Sequence, residues 1–302
     1  MEYSAKDLLR LTQHGDRKAL ARAITVVENE LPGYDSLLTA LPASHIPVIG
    51  FTGPPGAGKS TLISALLRTL SNAGKKIGVI AVDPTSPFNF GSLLGDRLRM
   101  AEHFNNPHVF IRSLATRGSL GGLSEKIIEV TDVMRSADFD FIFIETVGVG
   151  QSEVEVAGLA DTTIVVVVPE SGDEVQALKS GIMEIADIFV VNKADREGAE
   201  TLVNNLKKMM HHPKTEGWTV PVVKTVASQA DGVLELIEKI ESHRMSAGFN
   251  DKKYYLLTEK VYQLIRQSRM KDINREKIRL ELKKVVEKKD FNLYLFADQF
   301  KK

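Results

Sequence analysis

The sequence predicts an α/β fold, a doubly wound, mostly parallel sheet with helices on both faces and helical extensions at its two ends. Three observations predict it. From Ile46 onward, short β-branched runs that are apolar throughout recur between helical stretches, as strands covered on both faces require. A glycine-rich turn, Gly53 to Ser60, stands between one such run and a helix. After about Met245 the runs cease and charged amphipathic helices follow.

The elements follow in chain order. Leu20, Ile24, Val27 and Leu31 are spaced by four and three, which lays one apolar stripe on a helix. Pro32-Gly33 is expected to stop it. Strands are predicted at Val48–Phe51, Ile77–Val82, Val109–Ile111, Phe141–Ile144, Ile164–Val168, Ile188–Val191 and Val220–Val226. Tyr254–Ile265 and Ile273–Val286 then read as amphipathic helices. The chain is thereby expected to divide into a helical extension over 1–45, an α/β domain over 46–245 and a helical segment over 246–302.

Composition bounds the function. At 302 residues the chain can bury a large core. Its 39 basic residues equal its 39 acidic ones, so no global field would draw it to nucleic acid or to an anionic membrane, and neither is expected as a partner. It contains no cysteine, which excludes disulfides and thiolate metal sites. No apolar run is long enough to span a bilayer. Glu2 and Asp7 argue against an acid-poor transit peptide, and a cytoplasmic location is expected.

The chemistry begins at Gly53-Pro54-Pro55-Gly56-Ala57-Gly58-Lys59-Ser60, followed by Thr61. This is GxxxxGK[ST] between a strand and a helix, the phosphate cradle of a P-loop NTPase. Glycine lets the backbone turn its N–H groups inward, and the helix start adds partial positive charge. Lys59 would reach the β and γ phosphates, and the Ser60 hydroxyl would ligate magnesium. Glu145 ends the strand of Ile142 to Ile144, with Gly148 three residues on. Glu145 could hold a magnesium-bound water or orient the attacking water, and Gly148 could offer its N–H to the γ-phosphate. Asp83 ends another strand and Asp96 follows it; each is a candidate magnesium ligand or water holder, or else a helix cap. Arg99 would neutralise developing charge on the γ-phosphate, or else lie on the surface. Val149 occupies the place where many small GTPases carry a water-orienting glutamine, so unaided hydrolysis is expected to be slow, with Gln151 the available substitute.

Asn192-Lys193-Ala194-Asp195 ends a further apolar strand. The Asp195 carboxylate would accept from the ring N–H and exocyclic amine of guanine, whereas adenine offers the wrong pattern. Asn192 and Lys193 would brace the loop and cover the base. Thr225-Val226-Ala227 would supply a backbone N–H to the guanine oxygen. GTP or GDP with Mg2+ is therefore the expected occupant.

These residues, together with Val82 to Ser86, Gly91 to Arg97, Arg112-Ser113, Arg117-Gly118, Gly121 to Leu123 and the string Glu145 to Glu153, resemble the MeaB/ArgK GTPases over roughly residues 40 to 240. The resemblance implies a homodimeric GTPase that attends an adenosylcobalamin-dependent acyl-CoA mutase, such as methylmalonyl-CoA mutase, gating cofactor loading and protecting the enzyme. It implies that Ser60, Asp83, Asp96 and Glu145 form the magnesium neighbourhood. Gly172 to Lys179, with Asp173, Glu174, Gln176 and Lys179, looks like the family's additional switch; taken alone it is a polar loop leading into a helix. The terminal helices are expected to flank the core, the C-terminal ones pairing subunits. The alternative is a kinase or transport-linked NTPase using the same cradle, which would need an acceptor pocket and a base that the sequence does not display. A nickel-insertion GTPase would need a histidine- or cysteine-rich store, which is lacking.

Overall fold

The computed structural model describes residues 4–83, 100–115, 126–146, 148, 156–171, 182–210, 218–246, 251–270, 272–286 and 291–300. The chain forms two units, Met1–Asn250 and Asp251–Lys302. In the first, seven strands, β1 (Val48–Thr52), β2 (Ile77–Asp83), β3 (Val109–Ala115), β4 (Phe141–Glu145), β5 (Thr162–Val167), β6 (Ile188–Asn192) and β7 (Val222–Thr225), form one sheet in the order β3-β2-β4-β1-β5-β6-β7. Every pairing is parallel. All seven predicted strands are present. β1, β4, β5 and β6 are buried at every position, which is why their sequences are apolar but for the polar residues at one end of each, Thr52, Glu145, Thr162-Thr163 and Asn192. β7 starts two residues later than predicted: Pro221 has no N–H to give a ladder, although its carbonyl still accepts from Phe189 N–H at 2.9 Å.

Helices α1 (Ala5–Gln13), α2 (Arg17–Glu28) and α3 (Tyr34–Thr39) precede the sheet; α4 (Lys59–Asn72), α5 (Ile127–Arg135), α6 (Ala199–Met209) and α7 (Val233–Ser246) connect or follow its strands. Successive residues of a strand serve opposite faces. Ile164, Val166, Ile188 and Val190 pack with Leu62, Leu66, Leu236 and Ile240 from α4 and α7. Val165, Val167, Phe189 and Val191 pack with Leu202, Val203 and Leu206 of α6. Each such side chain contributes about 1.5–3 kcal/mol of burial, so neither face can be spared.

Leu20, Ile24 and Val27 of α2 are buried as the stripe predicts, but the helix ends at Glu28 rather than at Pro32. Glu30 takes a left-handed φ of 47°. Its N–H donates to Val27 O at 3.4 Å and that of Leu31 to Val26 O at 2.9 Å, the paired closure of a left-handed C-cap. Two ionic contacts join this turn to the α/β layer: Arg112 of β3 pairs with Glu28, and Lys126 contacts Glu30 at 2.7 Å and Glu129 at 3.1 Å. Burial alone would lower the Lys126 ammonium, but the two carboxylates overcome it and raise it.

The second unit contains α8 (Asp251–Arg269), α9 (Arg275–Val285) and α10 (Leu293–Asp298). Asn274 and Asn292 cap α9 and α10 by accepting from first-turn N–H groups. Phe296 is buried beside Phe291 and Phe300, with ring centroids 6.1 and 5.3 Å away. Among the described residues no helix is long and apolar enough to cross a membrane.

Candidate nucleotide site

Because the sheet is wholly parallel, Thr52, Asp83, Glu145, Asn192 and Thr225 all end strands at one edge, where loops can meet a ligand. Between β1 and α4 the cradle is held by its neighbours. Gly53 has φ +134°, and a Cβ there would lie 2.0 Å from Val166 O of β5. Gly58 has φ +87°, and its Cβ would lie 2.3 Å from Asn192 Nδ2. Neither position admits a side chain. Between them, Ala57 is buried and its N–H donates to Pro54 O at 3.2 Å, so Pro54, Pro55, Gly56 and Ala57 form a tight turn. Gly58 is also the N-cap of α4 and carries no side-chain acceptor, which leaves the first-turn N–H groups for an anion. Lys59 is 6% exposed, and its ammonium donates to Gly53 O at 2.7 Å and Pro54 O at 3.2 Å. Thr61, by contrast, is exposed.

The two halves of the predicted metal site meet across 85 residues of chain: Ser60 Oγ donates to Glu145 Oε1 at 2.6 Å, with both residues buried. Glu145 lies opposite Phe51 of β1 and Ala81 of β2. Asp83 is two positions beyond Ala81, so its backbone stands about 7 Å further toward the edge. Gly148 packs on the cradle, since a Cβ there would come within 2.5 Å of both Lys59 Nζ and Gly53 O. A hydroxyl whose proton is committed to a carboxylate offers only oxygen lone pairs and negative charge outward. That donor set fits a hard divalent cation such as Mg2+.

Asn192 is 2% exposed and links three elements. Its Nδ2 donates to Ala57 O at 2.9 Å, while its Oδ1 accepts from Thr225 Oγ1 at 3.1 Å and Ala227 N–H at 3.2 Å. It therefore braces the phosphate cradle as well as its own loop. The Ala227 N–H, in the segment Thr225-Val226-Ala227 expected to supply a donor to a guanine oxygen, donates to Asn192, because a buried amide oxygen has to find donors. A guanine oxygen would have to share that group. Val226 N–H donates to Asp231 O at 3.2 Å. Lys193 is half-buried with a left-handed φ of 55°, and Asp195 is exposed.

Asp96, Arg99, Val149, Gln151, Asp173, Glu174, Gln176 and Lys179 lie outside the described residues.

Sequence reasoning passed over two clusters. Ser64, one helical turn beyond Ser60, bonds His103 Nε2 at 2.8 Å and also donates to Glu102, which Arg68 holds at 3.0 Å. Burial pushes the His103 imidazole down, Glu102 opposing and Arg68 assisting. The i, i+4 spacing of the serines is the only signal for it in the sequence. The second is an ion pair between Arg196 and Glu170, for which the sequence carries no signal.

Comparison with known proteins agrees with this geometry. The profile of the family described as "Methylmalonyl Co-A mutase-associated GTPase MeaB" matches residues 20–279. A Pyrococcus abyssi protein, named provisionally as a GTPase, is 44% identical over 286 residues, covering 93% of this chain and 83% of its own. A Caenorhabditis elegans protein named "Methylmalonic aciduria type A homolog, mitochondrial" is 36% identical over 261 residues, 78% of this chain and 65% of that one. A crystal structure titled as an LAO/AO transport system kinase superposes with a TM-score of 0.70 at 25% identity, covering 98% of this chain and 95% of the other.

Proposed function

The chain belongs to the MeaB family of methylmalonyl-CoA mutase-associated GTPases, and on that premise we propose that it is a magnesium-dependent GTP hydrolase acting as chaperone to an adenosylcobalamin-dependent acyl-CoA mutase. In this reading it gates cofactor loading and protects a mutase of the methylmalonyl-CoA type. The observation that carries the nucleotide half is the Ser60–Glu145 hydrogen bond beside Lys59. The client half rests on the family match, which runs beyond the sheet to residue 279.

The chain's own groups divide the work. Lys59 and the first-turn N–H groups of α4 hold the phosphates and are aimed where negative charge grows. Magnesium, when bound, would neutralise charge on the phosphate oxygens. Ser60, Glu145, Asp83 and Asp96 are the residues that would hold it. Glu145 fixes the Ser60 rotor and keeps a carboxylate at the cradle's mouth, and Gly148, packed on Lys59, would donate its N–H to the γ-phosphate. Arg99 would offset the charge that develops there. Asp195 selects guanine, with Lys193 covering the base. Valine at 149 puts no glutamine at the usual water-orienting place, with Gln151 the available substitute, so turnover is slow until a partner completes the site.

Residues 1–45 are in this reading a helical extension, 46–245 the hydrolase domain and 246–302 the segment that pairs two copies. Tyr262, Ile265, Leu280 and Leu295 of that segment expose apolar surface, in keeping with such a role. Asp173, Glu174, Gln176 and Lys179 would report nucleotide state to the mutase, in the cytoplasm. Two assays test the proposal. Labelled GTP should yield GDP and free phosphate; a labelled acceptor would mean a kinase. Tagged protein should retain a cobalamin-dependent mutase from extract in a GTP- or GDP-dependent manner, and repeated recovery of none would remove the chaperone role.

A further inference from the structure

Two loops at the carboxyl edge of the sheet touch beside the base-selecting residue. After β5 the chain makes a short turn, Pro169–Ser171. After β6 it makes another, closed by Arg196 N–H donating to Lys193 O at 3.0 Å, with Asp195 between the two cations in sequence. Pro169 Cβ lies 3.8 Å from where a Cβ of Gly198 would be, and Glu170 pairs with Arg196. Glu170 therefore faces the cation that follows Asp195, and the charge of Lys193 on its other side also acts on it. Among the described residues no hydrogen bond or ion pair engages the exposed Asp195 carboxylate.

This arrangement addresses a difficulty in guanine recognition. A carboxylate that must accept two hydrogen bonds from a base stands one residue from a guanidinium, whose planar fork is the best side-chain partner a carboxylate has. Left alone, Arg196 would compete with the base for Asp195. We propose that Glu170 is a positioning residue for guanine recognition, engaging Arg196 so that the Asp195 carboxylate stays available to the base. The inference rests on the guanine-binding reading above and adds to it a residue from a different loop, the turn after β5, that no guanine motif contains.

The experiment is a set of calorimetric titrations with GDP and magnesium on the full-length protein, using wild type, Glu170→Ala, Arg196→Ala and the double variant, with steady-state GTPase kinetics alongside. Glu170→Ala should weaken GDP binding about two- to five-fold, the range over which exposed ion pairs act, and raise KM with kcat unchanged. Arg196→Ala alone should bind as wild type does, and the double variant should recover wild-type affinity. The Glu170→Ala defect should shrink at high salt. Were the pair only a strut between loops, both single variants would bind equally poorly and the double would show no recovery, which would overturn the proposal. Unchanged affinity in Glu170→Ala would overturn it too. Absence of any GDP heat from folded wild type would instead remove the guanine reading itself, a distinct result.

Discussion

Replacing Gly58 by alanine would place a methyl group 2.3 Å from Asn192 Nδ2, at a residue with φ +87°. The Asn192 amide cannot step aside cheaply, because it bonds Ala57 O, Thr225 Oγ1 and Ala227 N–H at once. Losing three hydrogen bonds of about 1 kcal/mol each, plus about 1–2 kcal/mol for alanine in a left-handed conformation, gives a destabilisation of about 4–5 kcal/mol. At about 2–4 °C per kcal/mol for a domain of this size, Tm should fall by about 10 °C or more. Thermal unfolding by circular dichroism without nucleotide measures it. Asn192→Ala removes the same three bonds and the obstacle together, so Gly58→Ala/Asn192→Ala should cost clearly less than the sum of the single variants. A Gly58→Ala protein melting within about 2 °C of wild type, or a double variant that is simply additive, would refute the claim that Asn192 sets the shape of the glycine-rich turn.

Further outcomes are expected. Lys59→Ala removes the ammonium that donates to Gly53 O in the cradle and should weaken GTP binding by about 100-fold or more; near-normal affinity by calorimetry would take Lys59 out of the phosphate site. Asp195→Asn should shift preference from GTP to XTP by about 100-fold or more, because the amide presents a donor where the carboxylate accepted; competition binding with both nucleotides decides. Burial depresses the His103 imidazole, so the unfolded chain binds the extra proton first. Stability should then be full above the ordinary histidine pKa of about 6.5 and decline as pH falls below it. Unfolding midpoints between pH 7.5 and 5.5 should slope less in His103→Gln, and parallel curves would contradict the assignment.

The legible part of the site was that carried by local backbone demands. Gly53 and Gly58 could be read because a turn against β5 and Asn192 tolerates nothing larger, and Lys59 because its place after that turn is fixed by the helix start. Seven strands were legible because burial on both faces leaves runs such as Ile164 to Val167 with no polar residue. The end of α2 was not: Glu30 supplies the left-handed C-cap where glycine is usual, so the visible Pro32-Gly33 signal drew attention three residues too far. The bond from Ala227 N–H to Asn192 Oδ1 was not legible either, because its acceptor comes from another strand.

Periodicity and the glycine-rich turn, both properties of neighbouring residues, determined the architecture and the phosphate-binding character from sequence alone. The tertiary structure decided which distant groups share a proton or a charge: Ser60 with Glu145, Asn192 with Ala57 and Ala227, Glu170 with Arg196. Those contacts are made between strand ends, a helix start and loops that the strand order brings to one edge, and strand order depends on how crossovers pack in three dimensions, which one-dimensional spacing does not encode.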